Sequence, residues 1–305
     1  MAKPAATHSE RRQLIWKRVH QELVKHAKPD SRSHYDFLSF TPDFRESSYA
    51  IARLAQLPYY QAATTILVTS DNSLEQLRLR ALKDGKKVLV GTYRLRRGFV
   101  MLSPQRISDD NFELASLLDG MERPGIGRHL SLAQMKDEGI HVDLCVTGGL
   151  AFNMQGVIVW EGHGLFEVQW AVLHDMKVIA EQVPVVAVAH QCQVVDEADH
   201  GLERLLAEKP GEVQCDFIVT PERTIEVQGA VKPTTGVQFE TLDPQALDNI
   251  PPLQELKGIR TMEKIMKDGG LGEEARQESN KTPTAEEQLG MNMVEKIMKG
   301  FKVGE

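Results

Sequence analysis

The chain has 305 residues, 41% hydrophobic and 26% charged, enough for one large or two ordinary domains with a packed core, so wholesale disorder is excluded. Its 36 Lys and Arg against 43 Asp and Glu leave a formal charge of -7, which removes any global attraction to nucleic acid or an anionic membrane and requires a bound phosphate to meet a local basic cluster. Cys145, Cys192 and Cys215 lie in apolar text, which excludes a disulfide framework and reads as reduced thiols. No apolar signal segment opens the chain and no run approaches the ~18 apolar residues of a membrane span. The expectation is a soluble cytoplasmic protein with no membrane partner.

From Ser9 to Lys25, Leu14, Ile15, Val19, Leu23 and Val24 recur at helical spacing among Arg11, Arg12, Lys17 and Arg18, predicting a basic amphipathic helix. A loop over 26–44 follows, then a helix over 45–57 that Pro58 ends. Short β-branched runs then alternate with helical ones. Strands are expected over 64–68, 87–91, 99–102 and 142–147, with a helix over 73–83 and a short helix in the polar stretch before Val142. Strands over 184–190 and 216–220 and helices over 165–180 and 201–208 complete the pattern. Strand, helix, strand in that order predicts an α/β protein: an open, mostly parallel sheet of six or seven strands with helices on both faces, ending near residue 228. Ligands of such sheets sit beyond the carboxyl ends of the strands, which singles out the loops after Ser70, Thr92, Thr147 and His190.

After Val227 the pattern fades. Residues 232–236 and Pro251-Pro252 read as linker, and 229–305 as a loosely structured tail carrying a repeated motif, MEKIMK at 262–267 and VEKIMK at 294–299. Each copy is about two turns of helix, too short to be stable alone. Such copies dock on the domain or on a second copy of the chain, or they enter the groove of a protein partner.

Chemistry concentrates in Val146–Trp170. Gly148-Gly149 end a strand, a hairpin-like turn carries Asn153 and Gly156, and Gly162-His163-Gly164 stand at the head of a helix. Glycines let backbone N–H groups approach an anion and a helix N-terminus favours negative charge, so a phosphate is the expected guest, with a plain sharp turn as the alternative. Among Arg94, Arg96 and Arg97 the alternate spacing places two guanidinium groups on one face if the chain is extended, suited to an oxyanion, with a solvated turn as the alternative. His163 is the titratable group among them, a replacement base when protonated or a proton donor. His190-Gln191-Cys192 lacks the further ligands of a zinc site, and Cys145 lacks an activating base. Trp160 and Trp170 offer rings for stacking on a heterocycle or for packing.

The run DLCVTGGLAFNMQGVIVWEGHGLFEVQWA at 143–171 is accompanied by RRQLIW at 11–16, TYRLRRG at 92–98, PVVAVAHQCQVVDE at 184–197 and CDFIVTPERTIEV at 215–227. Over residues 9–228 this set resembles the 5-formyltetrahydrofolate cyclo-ligases and their methenyltetrahydrofolate synthetase domain-containing branch. The resemblance implies a NagB/RpiA-like Rossmannoid fold and a ligase that uses ATP and magnesium to phosphorylate the formyl oxygen of a folate, after which a ring nitrogen closes onto it. For the divergent branch it also implies a link to thiamine metabolism. It implies that Gly148, Gly149, Gly162 and Gly164, with Arg11 and Arg12, hold the nucleotide and that Glu167 serves magnesium. Glu75, Phe166 and Trp170 then line the substrate pocket, and His163, Arg94 and Arg96 are the catalytic candidates.

Glu161 stands where the family carries a base, and Leu165 and Phe166 where it carries tyrosines, so Arg94, Arg96, Arg97 or the α-helical Arg11 and Arg12 are expected to supply the missing positive charge. Two readings stay open. One is an ATP-dependent enzyme acting on a folate or another small heterocycle; the other is a non-catalytic nucleotide-binding or regulatory module that engages a protein partner through the tail. Nucleic acid is not expected, because no RNA-recognition signature accompanies the acidic balance.

Overall fold

The computed structural model describes residues 8–30, 36–37, 40–198 and 212–268. The first helix, α1 (His8–His26), buries Ile15, Val19 and Leu23 on the apolar stripe read from the sequence. Next come α2 (Ser47–Leu54) and α3 (Pro58–Ala62), so Pro58 opens a new helix at its first position, where the missing N–H has no intrahelical partner to lose. The chain continues through β1 (Thr65–Val68), α4 (Glu75–Lys83), β2 (Lys87–Gly91), β3 (Phe99–Leu102), α5 (Phe112–Ser116), α6 (Leu118–Met121), β4 (Arg128–Leu130) and α7 (Leu132–Asp137). It then runs through β5 (Leu144–Thr147), β6 (Ala151–Asn153), β7 (Ile158–Trp160), α8 (Phe166–Asp175), β8 (Val185–Val188), β9 (Val194–Val195), β10 (Phe217–Val219), β11 (Thr224–Glu226), α9 (Pro244–Asn249) and α10 (Pro251–Asp268).

Eight strands form the main sheet in the order β11-β10-β8-β5-β1-β2-β3-β4. The five from β10 to β2 are parallel, and the antiparallel additions β11, β3 and β4 flank them. The two strands at the edges, β4 and β11, carry the sheet beyond the six or seven strands expected. Each is three residues long and rich in polar side chains, so its pairing comes from a neighbour's open ladder and leaves little hydrophobic pattern to read. The inner strands are buried on both sides. Ile66, Val68, Val88, Val90, Leu144 and Val146 pack with residues of α2, α4 and α5 in one cluster. Gly91, on the opposite face from Val88 and Val90, receives Gln169 of α8, so helices cover both faces.

A second sheet, β7-β6-β9, lies beside the first. Its β6–β7 hairpin has the expected turn: Asn153 Oδ1 accepts from the N–H groups of Gln155 at 3.1 Å and Val157 at 2.9 Å, and Gly156 takes the left-handed φ of 77°. The apolar stripe of α1 packs on this sheet through Leu150, Ala151, Val157 and Val159.

The chain divides into two compact units, residues 1–257 and 258–305. Pro251-Pro252, read as linker, instead start the 18-residue α10, and Leu253 and Leu256 are buried; proline is compatible with a first helical turn. The MEKIMK copy at 262–267 is therefore part of a longer helix, with Met262, Ile265 and Met266 exposed. The VEKIMK copy and the expected helix over 201–208 lie outside the described residues. Among the described residues no helix is long and apolar enough to cross a membrane.

Candidate functional site at the carboxyl edge of the sheet

Beyond β1 the backbone of Thr69–Asp71 crosses the carboxyl edge and is pinned from beneath by Arg78 of α4. This fully buried guanidinium donates to the carbonyls of Ser116 at 2.7 Å, Thr69 at 2.9 Å and Asp71 at 3.1 Å. Burial lowers its pKa to about 10, against the opposing pull of Glu75 and Asp71. Asp71, buried in turn, accepts from the Thr69 hydroxyl and, at 3.1 Å, from the Gly148 N–H at the end of β5.

The first glycine pair, expected to hold the nucleotide, packs closely against the protein's own side chains. A Cβ on Gly148 would lie 2.8 Å from Asp71, and one on Gly149 2.5 Å from the Phe152 ring. These glycines make room for the protein's own side chains, and the anion received by the Gly148 amide is the Asp71 carboxylate. Gly164 also borders Asp71, with its carboxylate oxygens 3.4 Å from an added Cβ, while Gly162 takes a φ of 79° that a side chain would strain.

Between β7 and α8 a second carboxyl group stands near the head of the helix. Glu161 accepts the Glu167 N–H in the first turn of α8 at 3.3 Å. Burial first, then the charges of Glu167 and Asp71, raises its pKa well above the ordinary carboxylate range; the bond from Glu167 opposes this only in part. Glu167 in turn accepts from the Val213 N–H at 3.4 Å. Among the described residues no group of three His, Cys, Asp or Glu side chains is placed to hold a metal ion.

The arginine loop after β2 builds a different site. Arg94 and Leu95 adopt left-handed φ values of 53° and 54°, and the Thr92 hydroxyl closes the turn, donating to the Gly98 carbonyl at 3.1 Å and accepting the Arg97 N–H at 3.0 Å. The turn aims Arg94 at His163, with Nη2 to Nε2 at 2.6 Å, over the Tyr93 ring at 5.4 Å. A guanidinium only donates, so His163 Nε2 carries the lone pair and the neutral ring keeps its proton on Nδ1. Burial and the Arg94 charge lower the His163 pKa, with Asp36 opposing.

Arg94, Arg96, His163 and Leu165 form one side of a pocket of about 400 Å³, and Gln245 and Asn249 of α9 form another. Among the described residues no carboxylate lines it. Among the described residues the Arg96 guanidinium has no hydrogen-bonding or ionic partner, and the buried Nε of Arg94 has none either. The structure thus brings together the three catalytic candidates. Arg97 does not join them, since it pairs with Glu122 at 2.6 Å.

Other expected site residues stand elsewhere. Arg12 spends its guanidinium on Glu212 at 2.7 Å and on the carbonyls of Ile158 and Val159, holding α1 to β7, and neither it nor the half-buried Arg11 lines the arginine pocket. Phe166 and Trp170 are fully buried packing residues outside that lining, and Trp160 stacks on Trp16 with centroids 6.0 Å apart. Glu75 opens α4 near Arg78, also outside the pocket. His190 is buried, accepts the Cys192 N–H on Nδ1 at 3.3 Å and stacks on His26, while Gln193 donates to the Gly149 carbonyl at 2.7 Å.

Asp71 and Arg78 escaped the sequence reading because nothing local marks a buried charge. Gln245 and Asn249 had a signal: Asp243-Pro244 is an N-cap residue followed by proline at the first helical position, and Asp243 Oδ1 does accept the Gln245 N–H at 2.9 Å.

Fold and site together define an open-sheet α/β protein with a pocket lined by two arginines and a histidine near the carboxyl edge of its parallel strands. The sequence profile of the 5-formyltetrahydrofolate cyclo-ligase family matches residues 7–199, and the chain belongs to that family. The methenyltetrahydrofolate synthase domain-containing protein of Danio rerio is 28% identical over 220 residues, 72% of this chain and 54% of that protein. Its namesakes from Mus musculus and Homo sapiens are also 28% identical, over 71% of this chain and 55% and 54% of their own lengths. The chain spans about half the length of the curated relatives it matches. Among solved structures, the NMR structure of Aquifex aeolicus 5,10-methenyltetrahydrofolate synthetase aligns with a TM-score of 0.41 at 16% identity, covering 76% of this chain and 99% of that one.

Proposed function

We propose that this chain is an ATP- and magnesium-dependent cyclo-ligase-like enzyme that takes an anionic small molecule, a folate or a related heterocycle, in the Arg94–Arg96–His163 pocket. The observation that carries this reading is a concave site with two guanidinium groups, unspent donor atoms and, among the described residues, no carboxylate in its lining. ATP would supply the phosphoryl group that turns a formyl oxygen into a leaving group. Within the chain, Arg94 and Arg96 offset negative charge on the ligand, and His163 offers its Nδ1 proton while Arg94 holds Nε2. Magnesium is assigned to Glu167 by the family resemblance alone; its carboxylate accepts the Val213 N–H and it stands outside the lining of the arginine pocket. In the glycine segment Asp71 takes the Gly148 amide and Glu161 the Glu167 amide, and the arginine loop, with unpartnered donors, is the site this reading assigns to an oxyanion. A cytoplasmic location belongs to this reading and rests on three free cysteines.

The same two carboxyl groups favour a second reading, a non-catalytic ligand-binding or regulatory module that engages a partner through its C-terminal segment. Calorimetry of the full chain with ATP·Mg, 5-formyltetrahydrofolate and thiamine-pathway heterocycles, followed by turnover assays on whichever binds, separates the two. Binding of ATP·Mg and a heterocycle with turnover supports the enzyme. Binding of a heterocycle alone, unaffected by ATP·Mg and without turnover, supports the module.

A further inference from the structure

The wall of the arginine pocket contributed by α9 comes from beyond the family-matching segment, which ends at residue 199. It is a fixed wall. Asp243 caps α9 at its start, Ile250 is buried at its end, and the α10 turn that follows is anchored by buried Leu253 and Leu256 and by Glu255, which accepts the Ala133 N–H at 3.2 Å. Pro252 at the same time borders Gly98 of the arginine loop, 3.7 Å from where a Cβ would stand.

On this wall two carboxamides meet the pocket with hydrogen-bonding capacity to spare. Asn249 uses one Nδ2 proton on the Gln245 carbonyl at 2.8 Å, which leaves its Oδ1 and second proton unused. The Gln245 side chain makes no hydrogen bond among the described residues. Facing them are Arg94, Arg96 and His163, so charge recognition sits on one side of the pocket and neutral donor–acceptor recognition on the other.

We propose that Gln245 and Asn249 set the ligand specificity of this pocket, selecting an anion that also carries amide or ring-nitrogen hydrogen-bonding groups over a bare oxyanion. The inference rests on the anion-pocket reading above. Guanidinium groups grip any carboxylate or phosphate, and discrimination then comes from polar groups that only the right ligand satisfies. α9 lies past the segment the family profile covers, so these two positions are not among those that define the family.

The test is calorimetry on the full chain with two probes, 5-formyltetrahydrofolate and inorganic pyrophosphate. In the double variant Gln245→Ala/Asn249→Ala, affinity for the folate probe falls about tenfold, as expected for two lost neutral hydrogen bonds, while pyrophosphate affinity stays within about twofold. Arg96→Ala weakens both probes. Both α9 residues are exposed, and unchanged melting temperatures confirm folding. If the double variant leaves folate binding intact, or weakens both probes equally, while Arg96→Ala still weakens both, the specificity inference fails and the anion pocket stands. If Arg96→Ala changes neither probe, or the wild-type chain binds no folate probe at millimolar concentration, the pocket reading and the inference fall together.

Discussion

Arg94 and His163, 69 residues apart in the chain, are joined Nη2 to Nε2 at 2.6 Å, and this contact sets the tautomer of the imidazole in the candidate site. Burial first and then the Arg94 charge favour the neutral imidazole, and a guanidinium that can only donate assigns its proton to Nδ1. Removing the guanidinium removes a cause that lowers the His163 pKa, so Arg94→Ala raises the titration midpoint of His163. The same change takes away a charge-assisted contact to a bound anion, with a loss of about 2 kcal/mol in affinity. NMR titration of the His163 ring in wild type and variant reads the first effect directly. An unmoved midpoint would show that burial alone holds the ring neutral.

Glu161 is a half-buried residue whose carboxyl group lies near those of Glu167 and Asp71, and its main cost is charge. Its folded pKa lies above the unfolded one, so the stability it contributes is present at low pH and declines as pH rises from the ordinary carboxylate range through the folded value. Glu161→Gln keeps an oxygen to accept the Glu167 N–H and removes the cost. The variant gains on the order of 1 kcal/mol at pH 8 and nothing at pH 4, where the wild-type group is already neutral. Chemical denaturation at the two pH values checks it; equal effects at both would mean that Glu161 ionises as readily in the folded chain as in the unfolded one.

The sheet was legible because its inner strands are buried on both faces and therefore appear as short β-branched runs, as at Thr65–Val68 and Val185–Val188. The pocket was legible in part. Arg94, Arg96 and His163 stood out as basic residues in loops beyond strand ends, and they do meet. What stayed hidden was how the glycines are used: Gly148 is small because Asp71 lies against it, a contact across 77 residues that no local pattern encodes. The α9 side of the site stayed hidden because that helix has just six residues, too few for a periodic stripe, and its N-cap signal sits among prolines that also suit a linker.

Arg78 holds the Thr69–Asp71 crossing in place with three bonds to carbonyl groups, all buried. Replacing it by methionine preserves much of the volume and leaves those carbonyls without donors, at a cost of about 3 kcal/mol. Lysine cannot reproduce the fork, since one ammonium cannot reach all three acceptors, so Arg78→Lys loses about 2 kcal/mol. Denaturant midpoints measure both. Because the loop also carries Asp71, backbone amide shifts at Gly148 move in either variant; a variant as stable as wild type with those shifts unchanged would show that the loop is held by other contacts.

His190 supplies the acid limit of the fold. Burial between Phe44 and His26, together with the charge His26 can carry, lowers its pKa from the ordinary 6.5 to about 4. In the unfolded chain the ring takes a proton near pH 6.5, whereas the folded chain resists until near pH 4, so the stabilisation is whole above pH 6.5 and is lost as pH falls through that window. Over this range wild type loses about 2 kcal/mol on this account. His190→Asn retains an acceptor for the Cys192 N–H but has nothing to protonate, so its stability falls less between pH 7.5 and pH 4.5, although it starts lower through lost ring packing. Urea unfolding of both proteins at the two pH values gives the difference in slope. Parallel losses in the two proteins would mean that His190 accepts its proton in the folded state as easily as in the unfolded one, and that the acid sensitivity arises elsewhere.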